Sequence, residues 1–378
     1  MKSIRTATQL KGKVILVRSA LNVPVEHGKV TGTYRLQKAL KTILFLQRKG
    51  AKVVLLGHIG DTGDETLRPV FDVLTKAIPH LSFSNVTVGP EARASVHDMK
   101  NGDVLMLENV RRMKGEKEND HHLAEELASL ADLFVQDSFD VCHRTHASVV
   151  GVAELLPSYA GMLVEEEIAG LKQALKPKSP ALAVIAGSKF STKEPVLHVL
   201  LQGYERVFVG GALANDLLQT EGFFIADSLV SGGDHVAMKE VTAHKNLLLP
   251  ADALVAPSTG VRADAEVASI ARIPEHTAIL DIGPETMALL APYVKKAKTI
   301  VWNGTLGKYE SGFMDGTREL AKAIIASKGH SIVGGGDTVA ALDMLGLTSK
   351  FDFVSTGGGA MLDYLAYGTL PGLEVLDR

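Results

Sequence analysis

The sequence predicts an α/β protein with two halves, each built on a parallel sheet, and one helix joining them. Strand-like apolar runs alternate with helix-like runs along the whole chain, a pattern typical of parallel sheets covered by helices on both faces. A length of 378 residues is enough for two or three domains with proper cores. Near the middle, the amphipathic run VEEEIAGLKQAL lies between LPSYAG and KPKSP, which indicates a semi-rigid hinge helix between two α/β halves.

The predicted strands are short β-favouring runs bounded by glycine or polar residues, and we expect all of them in parallel sheets. In the first half they cover residues 14–17, 52–57, 103–107 and 132–136. In the second half they cover residues 183–186, 206–209, 246–249, 278–282, 299–302, 331–333 and 351–355. The last fifteen residues contain Gly368, Pro371 and Gly372, so we expect an irregular tail that docks on the rest of the protein.

Composition and charge exclude several classes of protein. The formal charge is −3 and no basic run is present, which argues against a nucleic-acid partner. Arg18 interrupts the first apolar run, and no run approaches spanning length, so we expect neither a signal peptide nor a membrane anchor. The single cysteine, Cys142, fits a reducing cytoplasm. The group Cys142, His143 and His146 lacks a second ligand pair, so we do not predict a zinc site.

Four strands of the first half end in polar residues, and ligands of open parallel sheets bind at such ends. The runs that follow the strands are RSALNVP, GHIGD, ENVRR and CHRTH. Any one of these runs alone is more typical of a solvated loop. Because all four strands end in polar residues, the runs together indicate a site for a small anionic substrate, held by guanidinium groups.

In the second half, Lys189 and Lys193 follow a glycine turn after a predicted strand. Lysines four residues apart would share one helical face and repel each other unless an anion, such as a triphosphate, lay between them. The other interpretation is a solvated helix start. Gly210-Gly211 is a second turn of this kind, and the run WNGTLGK after residue 301 is a third. That run is too short for a Walker A loop, and no G-x-G-x-x-G follows a strand.

The segment SIVGGGDTVAA, beginning at Ser331, combines a short strand, a glycine turn and the start of a helix. Such a turn lets backbone N–H groups approach an anion at a helix N-terminus. Asp337 would hold Mg²⁺ against the phosphates, and Thr338 would cap the helix or contact a phosphate oxygen. An ordinary β–α turn with an Asp N-cap fits equally well. A second triplet, Gly357-Gly358-Gly359, also follows a strand, and the two together favour phosphate binding.

The motifs together resemble those of phosphoglycerate kinase, in order and over essentially the whole chain. The shared segments are NVP, LEN-x-R, HR-x-H, K-x-x-x-K after a glycine turn, LDIGP, VWNG, GGGDTVAA and STGGGA. The resemblance implies two doubly wound Rossmann-like domains and a monomer in the cytoplasm. It also implies Mg²⁺-dependent phosphoryl transfer between 1,3-bisphosphoglycerate and ADP, a reaction of glycolysis. The implied parts are a phosphoglycerate domain (residues 1–161, with the tail 365–378 docking on it), a hinge helix (162–176) and a nucleotide domain (177–364).

The resemblance also implies the roles of individual residues. Arg35 would stabilise the phosphoryl group in flight, and Asn22, His58, Arg111 and Arg144 would bind phosphoglycerate. On the nucleotide side, Lys189 would neutralise the transferring group, Lys193 would hold the nucleotide phosphates, and Asp337 would bind Mg²⁺. The remaining implied nucleotide contacts are Thr338 near the phosphates, Glu310 at the ribose, Asn303, Gly210 and Gly211 at the pocket border, Gly334, Gly335 and Gly336 at the phosphates, and Gly357, Gly358 and Gly359 over the transferring phosphoryl.

The chain departs from the family pattern at several positions beside these sites. Ala20 replaces an aspartate that contacts the substrate hydroxyl, and Asp61 replaces a phosphate-binding arginine. Arg112 stands where the family usually has an aromatic residue, and our hypothesis is that it restores the lost positive charge. Thr305 and Lys308 change the border of the adenine pocket. Two functions therefore remain: an active kinase of this type, or a nucleotide-binding protein of the same fold with lost or altered acceptor recognition.

Overall fold

The computed structural model describes residues 1–377. The chain divides into two compact units, one formed by residues 1–168 with the chain from Thr369 onward, and one formed by residues 169–368. Within residues 1–377, no helix is both long enough and apolar enough to cross a membrane.

The first unit contains a six-stranded parallel sheet and a small two-stranded ribbon. The strands are β1 (Val14–Ser19), β2 (Val25–Glu26), β3 (Lys29–Val30), β4 (Lys52–Leu56), β5 (Leu81–Phe83), β6 (Val104–Met106), β7 (Leu133–Asp137) and β8 (Ser158–Ala160). The sheet order is β5-β6-β4-β1-β7-β8, and β2 pairs with β3. Every pairing in the large sheet is parallel, as predicted.

The helices of the first unit follow its strands along the chain. They are α1 (Tyr34–Arg48), α2 (Arg68–Leu74), α3 (Pro90–His97), α4 (His121–Ala128) and α5 (Val152–Leu155). Helix α1 buries Leu36, Ala39, Ile43 and Leu46, which lie on one face at helical spacing. These side chains pack with the apolar residues of β1 and β4 in one core cluster.

A long helix, α6 (Met162–Leu175), leads from the first unit into the second. The second unit continues with α7 (Glu194–Gly203), α8 (Ala212–Thr220), α9 (His235–Thr242), α10 (Pro284–Lys296), α11 (Asp315–Ala326), α12 (Gly336–Met344) and α13 (Gly359–Tyr367). Its strands are β9 (Ala181–Ala186), β10 (Arg206–Gly210), β11 (Leu247–Leu248), β12 (Asp252–Ala256), β13 (Glu266–Ser269), β14 (Ala278–Ile282), β15 (Thr299–Asn303), β16 (His330–Gly334) and β17 (Phe353–Val354).

The main sheet of the second unit is parallel, in the order β11-β10-β9-β15-β16-β17. The prediction that residues 278–282 join a parallel sheet is wrong. That segment is β14, which pairs antiparallel with β12 in a three-stranded sheet of order β13-β12-β14. The segment between β12 and β14 contains only β13 and two short 3₁₀ turns, whereas the crossover that joins a parallel pair is usually an α-helix.

The C-terminal segment belongs to the first unit and is more regular than predicted. It forms a short helix, α14 (Pro371–Glu374), followed by a 3₁₀ turn at Val375–Asp377. The Gly372 N–H donates to the Cys142 carbonyl over 2.8 Å. A Cβ at position 372 would lie 2.7 Å from a Val149 methyl, so only glycine permits this approach. Leu373, Val375 and Leu376 are buried, and their burial anchors the tail.

Candidate active site

Glycine turns at the ends of β9, β10 and β15 meet in the second unit. The Leu213 N–H donates to the Gly187 carbonyl over 2.7 Å, and a Cβ at Gly211 would lie 3.1 Å from the Gly187 nitrogen. A Cβ at Gly304 would lie 2.1 Å from the Ala186 carbonyl oxygen, and Gly304 has a φ of +102°. These turns therefore need glycine, and they leave backbone groups rather than side chains at the surface.

Beside these turns lies a cleft of about 220 Å³. Its lining comprises Ala186, Gly187, Ser188, Lys189, Thr192, Lys193, Asn303, Gly304, Thr305, Gly335, Gly336, Asp337, Thr338, Gly358 and Gly359. The lining combines two ammonium groups, glycine-rich backbone and the first turns of α12 and α13. Backbone N–H groups at helix N-termini and nearby lysines attract phosphate, so the cleft is suited to a polyphosphate ligand.

Lys193 is the more buried of the two lysines. Its Nζ donates to Asn303 Oδ1 over 3.1 Å, and the Asn303 side chain is itself buried. Burial lowers the pKa of Lys193 to about 8, against the opposing effect of the Asp337 and Asp363 carboxylates. A phosphate in the cleft would restore the charged form, because a nearby anion favours the ammonium.

Lys189 is exposed and lies outside any helix. The prediction that Lys189 and Lys193 share one helical face is wrong, since α7 begins only at Glu194 with Lys193 as its N-cap. Phe190 is fully buried, and its N–H donates to Ser231 Oγ over 3.1 Å. Burial of this ring draws the segment into a turn, and both lysines still line the same cleft.

Asp337 and Thr338 open α12 but have different surroundings. Asp337 is exposed at the cleft, and its carboxylate lies close enough to the Tyr309 hydroxyl to affect the pKa of Tyr309. Burial, followed by the Asp337 and Glu310 carboxylates, raises the pKa of Tyr309 to about 12. The Thr338 hydroxyl is buried and accepts from the Gly304 N–H over 2.7 Å. The Thr338 side chain therefore braces the neighbouring turn.

Of the other residues predicted to contact the nucleotide, some line the cleft and the rest lie outside its lining. Gly335, Gly336, Gly358 and Gly359 line the cleft, whereas Gly210, Gly211, Gly334, Gly357 and Glu310 lie outside its lining. Gly334 is required by packing, because a Cβ there would lie 2.2 Å from Met361 Sδ. Gly357 is buried and donates from its N–H to Ser355 Oγ over 3.0 Å. Glu310 is exposed in a 3₁₀ turn.

In the first unit, Arg18 forms the centre of a buried polar network at the end of β1. Its Nε donates to Ser148 Oγ over 2.9 Å, and its Nη2 lies 3.0 Å from His58 Nδ1. Glu116, also buried, accepts from the Ser148 hydroxyl over 2.6 Å. The prediction placed Arg18 only among the strand-end residues that face a small anion, although a charged residue inside the run VILVRS indicates a buried partner.

The network fixes the charge of His58. Burial lowers the pKa of His58 well below 6.5, and the charges of Arg18, Arg111 and Arg35 lower it further. His58 is therefore neutral near pH 7. Because its Nδ1 accepts from Arg18, its Nε2 carries the proton. His58 can hold a phosphate only as a neutral donor, not as a cation.

Other arginines gather beside His58. The pKa of His146 is lowered to about 4 by burial, then by Arg18, Arg111 and Arg144, so all three positive charges act on one imidazole. Arg144 is exposed, whereas the Arg111 side chain is only 10% exposed. The cluster provides positive potential and forked donors for a small anion.

A cavity of about 510 Å³ adjoins this cluster and is lined in part by Asn22, Arg35, Gly60 and Glu65. Arg35 Nη1 donates to the Asn22 carbonyl over 2.7 Å, and Asn22 Oδ1 accepts from the Gly60 N–H over 3.1 Å. Asn22 and Arg35 are therefore held together at one wall.

The Arg112 guanidinium contacts Glu108 and Asp64. It pairs with the buried Glu108 carboxylate over 3.3 Å and contacts the Asp64 carbonyl over 3.4 Å. These contacts give the Arg112 charge a partner of its own, so they do not support our hypothesis that it replaces the cation missing at position 61.

Comparisons with known proteins agree with this geometry. The sequence profile of the family "Phosphoglycerate kinase" matches residues 5–367. A phosphoglycerate kinase of Roseiflexus sp. (strain RS-1) is 39% identical, over 97% of this chain and 96% of that protein. One from Allorhizobium ampelinum is 36% identical, over 100% of this chain and 98% of that protein. Among solved structures, phosphoglycerate kinase from Coxiella burnetii has a TM-score of 0.82 at 38% identity, covering 99% of this chain and 98% of its own.

Proposed function

The chain belongs to the phosphoglycerate kinase family, and from that premise we propose how its residues carry out the reaction. Its reaction is the reversible transfer of a phosphoryl group between 1,3-bisphosphoglycerate and ADP, which gives 3-phosphoglycerate and ATP in glycolysis. The observation that carries the residue assignment is the cleft of the second unit, where Lys189, Lys193 and Asp337 lie beside glycine turns. The alternative of a nucleotide-binding protein without turnover is not favoured.

We assign the donor side to this cleft. The glycine turns and the first turns of α12 and α13 would hold the nucleotide phosphates through backbone N–H groups. Lys193, oriented by Asn303, would bind those phosphates, and the exposed Lys189 would neutralise the transferring group. Such transfer depends on positioning and positive charge rather than on covalent chemistry, and the lining supplies both.

The residues present fit a magnesium ion as the metal of the reaction. Mg²⁺ is typically held by one or two carboxylates together with substrate phosphates and water. Asp337 is an exposed carboxylate at the edge of the phosphate-binding turns. When bound, the ion would neutralise phosphate charge.

We assign the acceptor side to the first unit. Arg111 and Arg144 would bind the substrate phosphate as cations, with neutral His58 donating from Nε2. Asn22 would bind the glycerate part, and Arg35, held at the Asn22 carbonyl, would stabilise the phosphoryl group in flight. In this proposal residues 1–161 with the tail 365–378 bind phosphoglycerate, residues 162–176 connect, and residues 177–364 bind nucleotide. We further propose that the protein acts as a monomer in the cytoplasm.

Isothermal titration calorimetry tests the proposed function one site at a time. We expect 3-phosphoglycerate and Mg-ADP each to bind the protein when titrated alone. Heat from Mg-ADP with none from 3-phosphoglycerate would overturn the acceptor assignment and support the nucleotide-binding alternative.

Replacing Asp337 with asparagine should weaken Mg-ADP binding by about tenfold or more, because a neutral amide is a poor ligand for Mg²⁺. Binding of ADP without metal should change much less, and 3-phosphoglycerate binding should not change. Equal losses with and without Mg²⁺ would contradict the metal assignment. Asp343→Asn, later in α12, is the matched control.

A further inference from the structure

The segment after β4, residues 59–61, is held from several sides, and we call it the acceptor loop. The Asn109 side chain accepts from the Ile59 N–H over 3.3 Å and donates to the Ile59 carbonyl over 2.8 Å. Asn22 Oδ1 accepts from the Gly60 N–H over 3.1 Å, and Arg111 donates to the Gly60 carbonyl. The backbone of this loop is therefore fixed beside the proposed substrate residues.

The Asp61 side chain places an anion against the phosphate-binding cluster. Its Oδ1 lies 2.5 Å from Arg111 Nη1. The Asp61 side chain is 93% exposed, whereas that of Arg111 is 10% exposed. Solvent screens such a carboxylate, so the pair is weak and can be displaced. The Asp61 carboxylate thus binds the Arg111 guanidinium, which a substrate phosphate would need as its own partner.

Lys117 brings a cation to the same loop. Its Nζ donates to the Asp61 carbonyl over 2.7 Å, and the side chain is exposed. The Lys117 ammonium and the Arg111 guanidinium therefore contact the same residue from two directions. Arg112, by contrast, is paired with Glu108. An ammonium on a flexible stem can move from a carbonyl to a phosphate arriving nearby.

We propose that Lys117 supplies a further cation for the acceptor phosphate, beside Arg111 and Arg144, and that Asp61 competes with this phosphate for Arg111, so that together they set affinity for the phosphorylated acceptor. The inference rests on the proposed function. Binding would exchange the Asp61 contact of Arg111 for a phosphate contact and move Lys117 from the Asp61 carbonyl to a phosphate oxygen. A dianionic phosphate gains more from both cations than a carboxylate does, so the pair favours a phosphorylated acceptor over unphosphorylated glycerate.

Steady-state kinetics of the full chain with 3-phosphoglycerate and Mg-ATP tests the role of Lys117. Lys117→Met should raise KM for 3-phosphoglycerate roughly tenfold and leave KM for ATP unchanged. Lys117→Arg should stay close to wild type. Lys117→Gln keeps a donor for the Asp61 carbonyl without the charge, and it should resemble Lys117→Met. The matched control is Lys114→Met, an exposed lysine of the same segment.

The same assay tests Asp61. Asp61→Asn should lower KM for 3-phosphoglycerate about threefold, because the neutral amide competes less strongly for Arg111 than the carboxylate does. The inference is wrong if Lys117→Met behaves like Lys114→Met, if Lys117→Gln retains wild-type KM, or if Asp61→Asn raises KM. In each of these cases, normal turnover of 3-phosphoglycerate by the wild-type protein would leave the proposed function intact. A wild-type protein that neither binds nor converts 3-phosphoglycerate overturns the function and this inference together.

Discussion

Replacing Lys193 with methionine should lower kcat by about 100- to 1000-fold, because negative charge develops on the nucleotide phosphates that Lys193 holds as ADP leaves, and removing one group that stabilises such charge typically costs this much. The Lys193 ammonium is held at Asn303 Oδ1 within the phosphate cleft. The measurement is kcat at saturating 3-phosphoglycerate and Mg-ATP. Lys245→Met, an exposed lysine of the same unit, should retain wild-type kcat.

The pH profile gives Lys193 a second readout. Since the pKa of Lys193 is lowered to about 8 in the free protein, the ammonium is lost as the pH rises through 8. We therefore expect kcat/KM for ATP to fall above pH 8, and kcat itself to fall only at higher pH, because bound phosphate favours the charged form. A kcat for Lys193→Met within tenfold of wild type would contradict the assignment.

Replacing Arg18 with methionine should destabilise the first unit by about 3 kcal/mol or more, the scale for removing one partner from a buried charged network. The change would leave the Ser148 hydroxyl and His58 Nδ1 without their donor and would remove the Arg18 charge that acts on the buried Glu116.

Amide hydrogen exchange, measured for individual peptides, reports the stability of the first unit independently of the second. Amides of β1 in Arg18→Met should exchange at least about 100-fold faster than in wild type. Arg5→Met, which removes an exposed ion pair with Glu165, should change exchange very little. Protection of β1 equal to wild type in Arg18→Met would show that the network does not stabilise the unit.

Local patterns predicted the strands of the main sheets well, because buried parallel strands appear as short continuous apolar runs. The same patterns did not predict the antiparallel pairing of residues 278–282. Strand direction depends on the connections and partners of a strand, which a single apolar run does not encode. The short strands β2, β3, β5, β8 and β13 were missed because few of their residues are fully buried, so no apolar run marks them. Strand β12 was missed as well, although all five of its residues are buried.

In the candidate active site, too, some features could be predicted from the local sequence and others could not. Glycine turns and their lysines were predicted because backbone geometry restricts those positions to particular residue types. The role of Thr338 as a brace, the pairing of Arg112 with Glu108 and the contact of Lys117 with the acceptor loop all depend on distances across the fold. Such contacts join residues far apart in the chain, so spacing alone could not assign them.

The most direct test of the central claim is turnover of the wild-type protein with Mg-ATP and 3-phosphoglycerate in a coupled assay, run beside Lys189→Ala. Because Lys189 is proposed to neutralise the transferring phosphoryl, we expect clear turnover in wild type and a loss of at least about 100-fold in the variant. Wild-type protein that binds Mg-ATP but forms no 1,3-bisphosphoglycerate would contradict the account, as would a Lys189→Ala variant that turns over as fast as wild type.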